Sequence, residues 1–401
     1  MTYKCGMENT IYGIYVKPYS GQQCTFSRGI IDNGNFVSEY DLTISSGVTF
    51  GYGLTNVNYD YIVVRVTGKI EKIYCTSITD NNNSIVYYCS KQPMIERIAY
   101  IPNVVNMTNA SSTDYFWGTS WLEHDVVNNG NGTNLKTMSY AWNNCVKLKS
   151  LDISGLFIPN VTSLIQAFGR CSSLRELDLR HWNVSKVTSL NSIFVLCLGL
   201  KEVDLTGWDT TNVTSMGYMF QYCHMLREIK GIENFNTSKV TSLTSTFQEC
   251  FSLLKLPVQN FDTSKVTGLT STFNGCYNLD ELDVSNWNVG LVTNLSAIFG
   301  NCRSLKKLDL SKWETTKDKI TSVSGMFSGC HNLQYIDISG IKVGNKCAAI
   351  GSMFYNCWSL KRIDIPSDWD LSGMTSTGSA ICYQMFYNCY SLETITGIRD
   401  W

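Results

Sequence analysis

Trp182–Phe194 reads WNVSKVTSLNSIF, and Trp208–Phe220 reads WDTTNVTSMGYMF, twenty-six positions later. A spacing of that length belongs to repeat architectures, in which one small unit recurs and only its neighbours cover its apolar side. Cysteine marks the period. Cys145, Cys171, Cys197, Cys223, Cys250, Cys276, Cys302, Cys330, Cys357 and Cys389 are separated by 26, 26, 26, 27, 26, 26, 28, 27 and 32 residues. An aromatic residue stands three before each, from Trp142 and Phe168 to Phe386, and a leucine three after, from Leu148 to Leu392. One unit therefore reads F-x-x-C-x-x-L-x-x-L-D-L-S-x-W-[DN]-x-[ST]-x-V-T-S-[LM], closing on the next phenylalanine.

Each half of the unit has its own physical signature. In the L-D-L segment, as in LDLR from Leu177 or IDIS from Ile336, apolar residues alternate with a polar one, the period of a short strand with one buried face. From V-T-S-[LM] to the next leucine, apolar residues fall three or four apart, as Val187, Leu190, Phe194, Cys197 and Leu200 do, which draws a helical stripe. Ser185, Thr211 and Ser238 stand just ahead of it, where a hydroxyl caps free helix amides. The expected fold is α/β: a leucine-rich-repeat solenoid of about ten strand-helix repeats, each ~26 residues long.

The stretches WNVSKVTSL…IFVLCLGL from Trp182 and FDTSKVTGLTSTFNGCYNL from Phe261 follow the pattern W-[DN]-[TV]-S-x-V-T-[SNG]-[LM]…MF-x-x-C-x-x-L. In this they resemble the BspA-type leucine-rich repeats of bacterial and protist surface proteins. The resemblance spans residues 133–401 and leaves the first hundred unmatched. It implies adhesion and recognition rather than catalysis, a class of function and not a ligand.

Residues 1–95 are a different object. Runs rich in β-branched and aromatic residues, IYGIYV from Ile11, FVSEYDLTI from Phe36, YIVVRVTG from Tyr61, IEKIYCTSI from Ile70 and SIVYYCS from Ser84, alternate with DNGN, SSGVTFGYG and DNNNS, which read as turns. A small antiparallel β-domain is expected, serving either to cap the first repeat or to attach the repeats to something larger. Residues 96–132 read as a junction or degenerate first repeat, and the regular array as residues 133–401.

Composition bounds the partners. With 401 residues, 44% hydrophobic content and a formal charge of -1, the chain buries a large core and lacks the basic stripe that nucleic acid requires. No apolar run approaches a membrane span, which argues against membrane insertion. The opening MTYKCGMENTIYGIYV lacks a basic region followed by an apolar run, so no secretory leader is expected. The column cysteines are expected as buried fillers rather than disulfides, since parallel side chains in a ladder hold their Cβ atoms too far apart for a relaxed bridge. Off the column, Cys75 and Cys89 have a spacing that permits a bridge, and no pair forms the C-x-x-C of a zinc site.

No catalytic constellation stands out. His224 and His331 directly follow column cysteines, in the slot that holds Ser172, Leu198 and Tyr277 elsewhere, and read as structural or surface residues. No cofactor and no enzymatic activity are expected. The tryptophan column, Trp182, Trp208, Trp287 and Trp313, is read as core with the indole N–H on a turn carbonyl, against a sugar-stacking ridge. The aspartate column is read as hydrogen-bonded within the turns; the functional alternative has Asp178 and Asp204, with Glu176 and Glu202, recruiting a cation or basic partner. Repeats eight and nine lengthen their connections, and Tyr335, Tyr355, Trp358, Tyr383, Tyr387 and Tyr390 gather near that end. These residues mark either a contact surface or terminal drift. The functional expectation is a non-enzymatic adhesion protein presenting its repeats to a protein or glycan on a cell surface, with residues 1–95 docking it to a larger assembly. The competing expectations are a bacteriophage virion protein for host attachment and a cytosolic scaffold. Localisation is accordingly expected at a cell surface or on a virion.

Overall fold

The structure, a computed structural model, describes strand backbones within residues 2–125, then residues 137–146, 148–153, 158–372 and 382–397. It divides into two compact units, Met1–Lys186 and Val187–Trp401.

In the first unit, the described strands are β1 (Thr2–Lys4), β2 (Ile11–Pro18), β3 (Cys24–Asp32), β4 (Asn35–Ile44), β5 (Phe50–Leu54), β6 (Ile62–Gly68), β7 (Ile70–Ile78), β8 (Met94–Ile98), β9 (Glu123–Asp125), β10 (Ser150–Asp152) and β11 (Glu176–Asp178). The apolar runs at Ile11, Phe36 and Ile70, and the run at Tyr61 from Ile62 on, lie in strands, whereas SIVYYCS falls outside the described residues. β5 occupies part of SSGVTFGYG, which the sequence marks as turn; pairing along β2 from Tyr12↔Leu54 to Val16↔Phe50 overrides the glycines' weak strand preference. β3 and β4 form a hairpin whose last pair, Asp32↔Asn35, leaves Asn33 and Gly34 between them, the dipeptide preferred in a two-residue hairpin loop.

The N-terminal strands do not stand apart from the repeats. One sheet runs in the order β10-β9-β8-β1-β6-β3-β4. Within it β8, β9 and β10 are parallel, with Arg97↔Glu123 and Ser150↔Glu123 in register, which is the spacing of the repeat. The repeat ladder thus reaches back to Met94–Ile98, and β8 bonds antiparallel to β1. The remaining strands form a separate sheet, β5-β2-β7.

The second unit is built of rungs. Its strands are β12 (Glu202–Asp204), β13 (Glu228–Lys230), β14 (Tyr335–Ile336), β15 (Arg362–Asp364) and β16 (Thr394–Thr396), with parallel pairing of β12 to β13 and of β14 to β15 to β16. A second parallel ladder links the V-T-S slot of successive repeats: Ser189, Ser215, Ser242, Gly268, Asn294, Ser322 and Ala349 bridge in turn.

Among the described residues there is no α-helix, and the expected strand-helix unit is corrected here. The segment from the V-T-S slot through the cysteine is a run of four-residue turns. Cys223 N–H, for instance, bonds to Phe220 C=O and Met219 N–H to Met216 C=O, while the alternate amides, Tyr218, Phe220 and Tyr222, donate to Thr244, Thr246 and Gln248 of the next repeat. Residues two before and two after each core aromatic take positive φ, as Tyr218 (59°) and Tyr222 (63°) do. A left-handed residue every fourth position prevents a right-handed helix. Consecutive turns bury a side chain every three or four residues, as a helix does, so the apolar stripe alone does not tell the two apart. Ser185, Thr211 and Ser238 cap no helix: their N–H groups bond to the side-chain oxygens of Asn183, Asp209 and Asn236 two residues earlier, as Asx turns.

The column residues fill the core. Phe194, Phe220, Phe247, Phe273, Phe299, Phe327, Phe354 and Phe386 stack in one series with centroids 5.2 to 5.9 Å apart. Thiols of this column do more than fill space. Cys223 Sγ donates to Phe194 C=O at 3.1 Å, Cys276 to Phe247 at 3.2 Å and Cys330 to Phe299 at 3.0 Å, giving that carbonyl a second donor besides its own turn amide. The described cysteines are free, and burial pushes the Cys276 and Cys330 thiols up to about 12. Trp182, Trp208, Trp287 and Trp313 are buried, which leaves no sugar-stacking ridge of this column; Trp287 and Trp313 set the indole N–H on a carbonyl of the preceding repeat, whereas the buried Trp182 indole N–H meets no acceptor among the described residues. The proposed Cys75–Cys89 pair lies outside the described side chains.

Candidate binding surface

Two sets of residues single themselves out in the sequence, and the structure treats them differently. Glu176 and Asp178 flank buried Leu177 on β11 and are exposed; Glu202 and Asp204 flank buried Val203 on β12 and are half-buried. The aspartates serve the chain itself. Asp178 Oδ1 accepts the Arg180 N–H at 3.1 Å, and the Arg180 guanidinium lies 2.7 Å from Oδ2, which holds the carboxyl below its usual range. Asp204 accepts the Thr206 N–H at 3.0 Å, and Asp283, Asp309 and Asp337 accept the amides of Ser285, Ser311 and Ser339 in the same way. Glu202 pairs with Lys230 across the β12–β13 ladder. The L-D-L-S motif thus ends in an Asx turn with its carboxylate already engaged; it follows a strand at β11, β12 and β14, while the segments around Asp283 and Asp309 lie outside any strand.

The second set is less committed. The residue following each column cysteine stands at the outer edge of its rung, and successive occupants stack: His224 on Phe251 at 4.2 Å and Phe251 on Tyr277 at 4.4 Å. The Arg303 guanidinium then lies 4.0 Å from the Tyr277 ring centre, and His331 stacks on Trp358 at 3.7 Å. The backbone beside these residues is one ladder, in which Asn278, Ser304, Asn332, Ser359 and Ser391 N–H donate to the carbonyls of Phe251, Tyr277, Arg303, His331 and Trp358. That register makes Tyr390 the next residue after Trp358.

Electrostatics varies along this stripe. His224 Nε2 lies 3.5 Å from Glu249 Oε2. Burial, and secondarily the Arg303 charge, hold His331 below its ordinary value, so its imidazole meets Trp358 uncharged at neutral pH.

Trp358 is 43% exposed, and on the rung 382–397 Tyr387 is 50%, Tyr383 57% and Tyr390 75% exposed. Tyr355, half-buried, stacks on Tyr387 at 5.4 Å. The structure therefore pairs Tyr355 with Tyr387 and adds His331 to Trp358. Tyr335 is exposed but sits on β14, in register with Arg362 of β15, and makes no ring contact with the others among the described residues.

Sequence reasoning found Trp358 and Tyr390 and set His224, Tyr277 and His331 in one slot, but missed that the occupants of this slot, Phe251 and Arg303 among them, form one stripe. The signal was present: aligned on the cysteines, one slot runs His, Phe, Tyr, Arg, His, Trp, Tyr from residue 224 to residue 390. Planar groups in consecutive copies of a surface slot are a stack once the copies are known to lie rung on rung. Such a surface offers ring edges, amphipathic aromatic tips and one guanidinium, which suits contact with another macromolecule. Among the described residues no three His, Cys, Asp or Glu side chains gather as a metal site, and no helix is long and apolar enough to cross a membrane.

No curated protein and no solved structure matches the chain. One family profile does, in four overlapping copies, over residues 102–197, 133–252, 225–338 and 269–401. Its first copy begins within the stretch read as a junction, where β9 also takes the repeat's register. The matched copies together span residues 102–401, well over half of the sequence, and the chain belongs to the family described as Mycoplasma protein of unknown function, DUF285.

Proposed function

We propose that this chain is a non-enzymatic recognition protein, a leucine-rich-repeat solenoid akin to the BspA-type surface repeats, that offers its C-terminal rungs to a protein or glycan on a cell surface. The observation that carries the reading is the stack of planar side chains along one edge of the rungs, of which Trp358 and Tyr390 are exposed; such residues dominate binding energy when a partner desolvates them. The N-terminal strands supply the docking part, with β4 at one margin of the seven-stranded sheet as the strand open to a larger assembly. The pairing of β1 with β8 favours a second reading of that part, in which these strands close the repeat ladder as a cap.

The test is binding of the full chain to arrayed cell-surface glycans and proteins, compared with the variant carrying Trp358→Ala and Tyr390→Ala. Both side chains are exposed, so the variant is expected to fold as the parent does. Its affinity is expected to fall by about tenfold or more. Equal affinity of parent and variant for every bound target removes the stripe as the recognition surface.

A further inference from the structure

The stripe beside the cysteine column is built of planar groups laid face against face. Phe251 lies between His224 and Tyr277, its plane within 13° and 8° of theirs, and the Arg303 guanidinium covers Tyr277 from the following rung at 4.0 Å. His331 and Trp358 are within 5° of parallel at 3.7 Å. Groups stacked in this way turn their edges to the surface, and an aromatic edge carries the positive end of the ring quadrupole.

The chain meets one of these edges itself. His224 Nε2 lies 3.5 Å from Glu249 Oε2, and Glu249 stands one residue before Cys250, on the rung after His224. Aligned on the cysteines, that slot holds no acid further along: it is Gly275 beside Phe251, Asn301 beside Tyr277, Gly329 beside Arg303 and Asn356 beside His331. Arg303 is exposed, and its guanidinium makes no hydrogen bond or ion pair among the described residues; its contact is the Tyr277 ring. The ring orders the guanidinium while its fork of N–H donors stays open. Lys306 and Lys307 on the same rung are exposed, and no ion pair ties either to Asp280 or Glu281 of the rung before.

We infer that the stripe from Phe251 to Trp358 receives carboxylate side chains of a partner protein, with the Arg303 fork as the principal contact. The inference rests on the recognition reading above and names the partner which that reading leaves open: an acidic polypeptide rather than a glycan. A carboxylate at Arg303 supplies from outside what Glu249 supplies to His224 from within, in the two-point geometry a guanidinium favours. A guanidinium already ordered by stacking loses less freedom on pairing. A glycan is disfavoured, because a sugar ring packs its C–H face on an open aromatic face, and the faces of Phe251 and Tyr277 are taken by their neighbours.

The experiment titrates the full chain against a short fluorescein-labelled peptide of alternating glutamate and glycine, and against its counterpart with glutamine for glutamate, followed by anisotropy at low ionic strength. Saturable binding of the glutamate peptide is expected, with the glutamine peptide weaker by about tenfold or more. Arg303→Gln is expected to weaken binding by about tenfold, whereas Lys265→Gln, an equal loss of charge at an exposed turn outside the stripe, leaves it unchanged. Asn356→Glu, which sets a carboxylate beside His331 as Glu249 stands beside His224, is expected to compete with the peptide from within and supplies a second variant. The inference is overturned by absence of saturable binding, by equal affinity for the two peptides, by equal losses in Arg303→Gln and Lys265→Gln, or by tighter binding of oligogalacturonate, whose carboxylates sit on sugar rings. Targets lost by the variant carrying Trp358→Ala and Tyr390→Ala but kept at full affinity by Arg303→Gln retain the stripe and remove the acidic partner. Targets kept by both variants remove the stripe itself.

Discussion

Phe273→Ala is expected to destabilise the chain by about 4 kcal/mol, in the range of a large aromatic removed from a closed core. The ring is fully buried, stacked on Phe247 and Phe299 at 5.8 Å on either face, with Trp287 tilted against it at 5.5 Å. None of these neighbours is free to collapse into the space. Phe273 N–H donates to Ile298 C=O, and Phe273 C=O accepts both Cys276 N–H and Cys302 Sγ, so the backbone on which the rings hang is pinned from two rungs. In a stacked array each unit leans only on its neighbours, so the loss weakens both interfaces of one rung. Phe386→Ala removes the same ring from a half-buried site where, among the described residues, it stacks on Phe354 alone, and is expected to cost less than half as much. Denaturant unfolding followed by tryptophan fluorescence measures both; equal costs contradict the picture of a laterally shared core.

Gly340→Ala is expected to cost about 3 kcal/mol or more, by overpacking rather than by a cavity. A Cβ built on Gly340 falls on the carbonyl oxygen of Trp313. The two backbones cannot part, because Gly340 C=O accepts Thr315 N–H at 3.0 Å and Thr315 Oγ1 bonds both N–H of Lys342 and C=O of Lys342. Ile341 donates its N–H to Ile338 as Trp313 does to Leu310, so an isoleucine stands where the tryptophan column would continue. Its smaller side chain lets this rung settle close against the one before. The same slot tolerates Lys312 one repeat earlier, so substituting Lys312 by alanine serves as the neutral comparison in the same unfolding experiment. A Gly340→Ala protein as stable as the parent contradicts this account of the contact.

The period, the core columns and the alternating L-D-L segment were legible because each follows from burial, although that segment is a strand in only some of the described copies. A side chain covered only by the next rung must recur at the rung spacing, as the cysteines, phenylalanines and leucines do. The second half of the unit was misread because spacing reports burial and not handedness. Val187, Leu190, Phe194 and Cys197 are buried as a helix would bury them, yet the amides between them reach carbonyls in the next repeat. Two cues in the residues point away from a helix. Segments such as VTSLTSTF from Val240 are rich in β-branched and hydroxyl residues, poor helix formers, and Gly275, Gly325 and Gly329 occupy the left-handed positions of their turns. The aspartates and the [DN]-x-[ST] pairs were legible as hydrogen-bonded groups, but their turn type required the structure. For the candidate surface, the residues were visible one by one, while the stack they form depends on knowing that neighbouring copies present the same edge.

The most direct test of the central claim, that each copy of the thirteen-residue motif builds a rung of turns and bridges with no α-helix, is the far-ultraviolet circular dichroism of the folded full chain. A spectrum of strand and turn character without the helical double minimum is the predicted result. A strong helical spectrum that is lost cooperatively on unfolding contradicts it and restores the strand-helix unit that the apolar spacing alone implies.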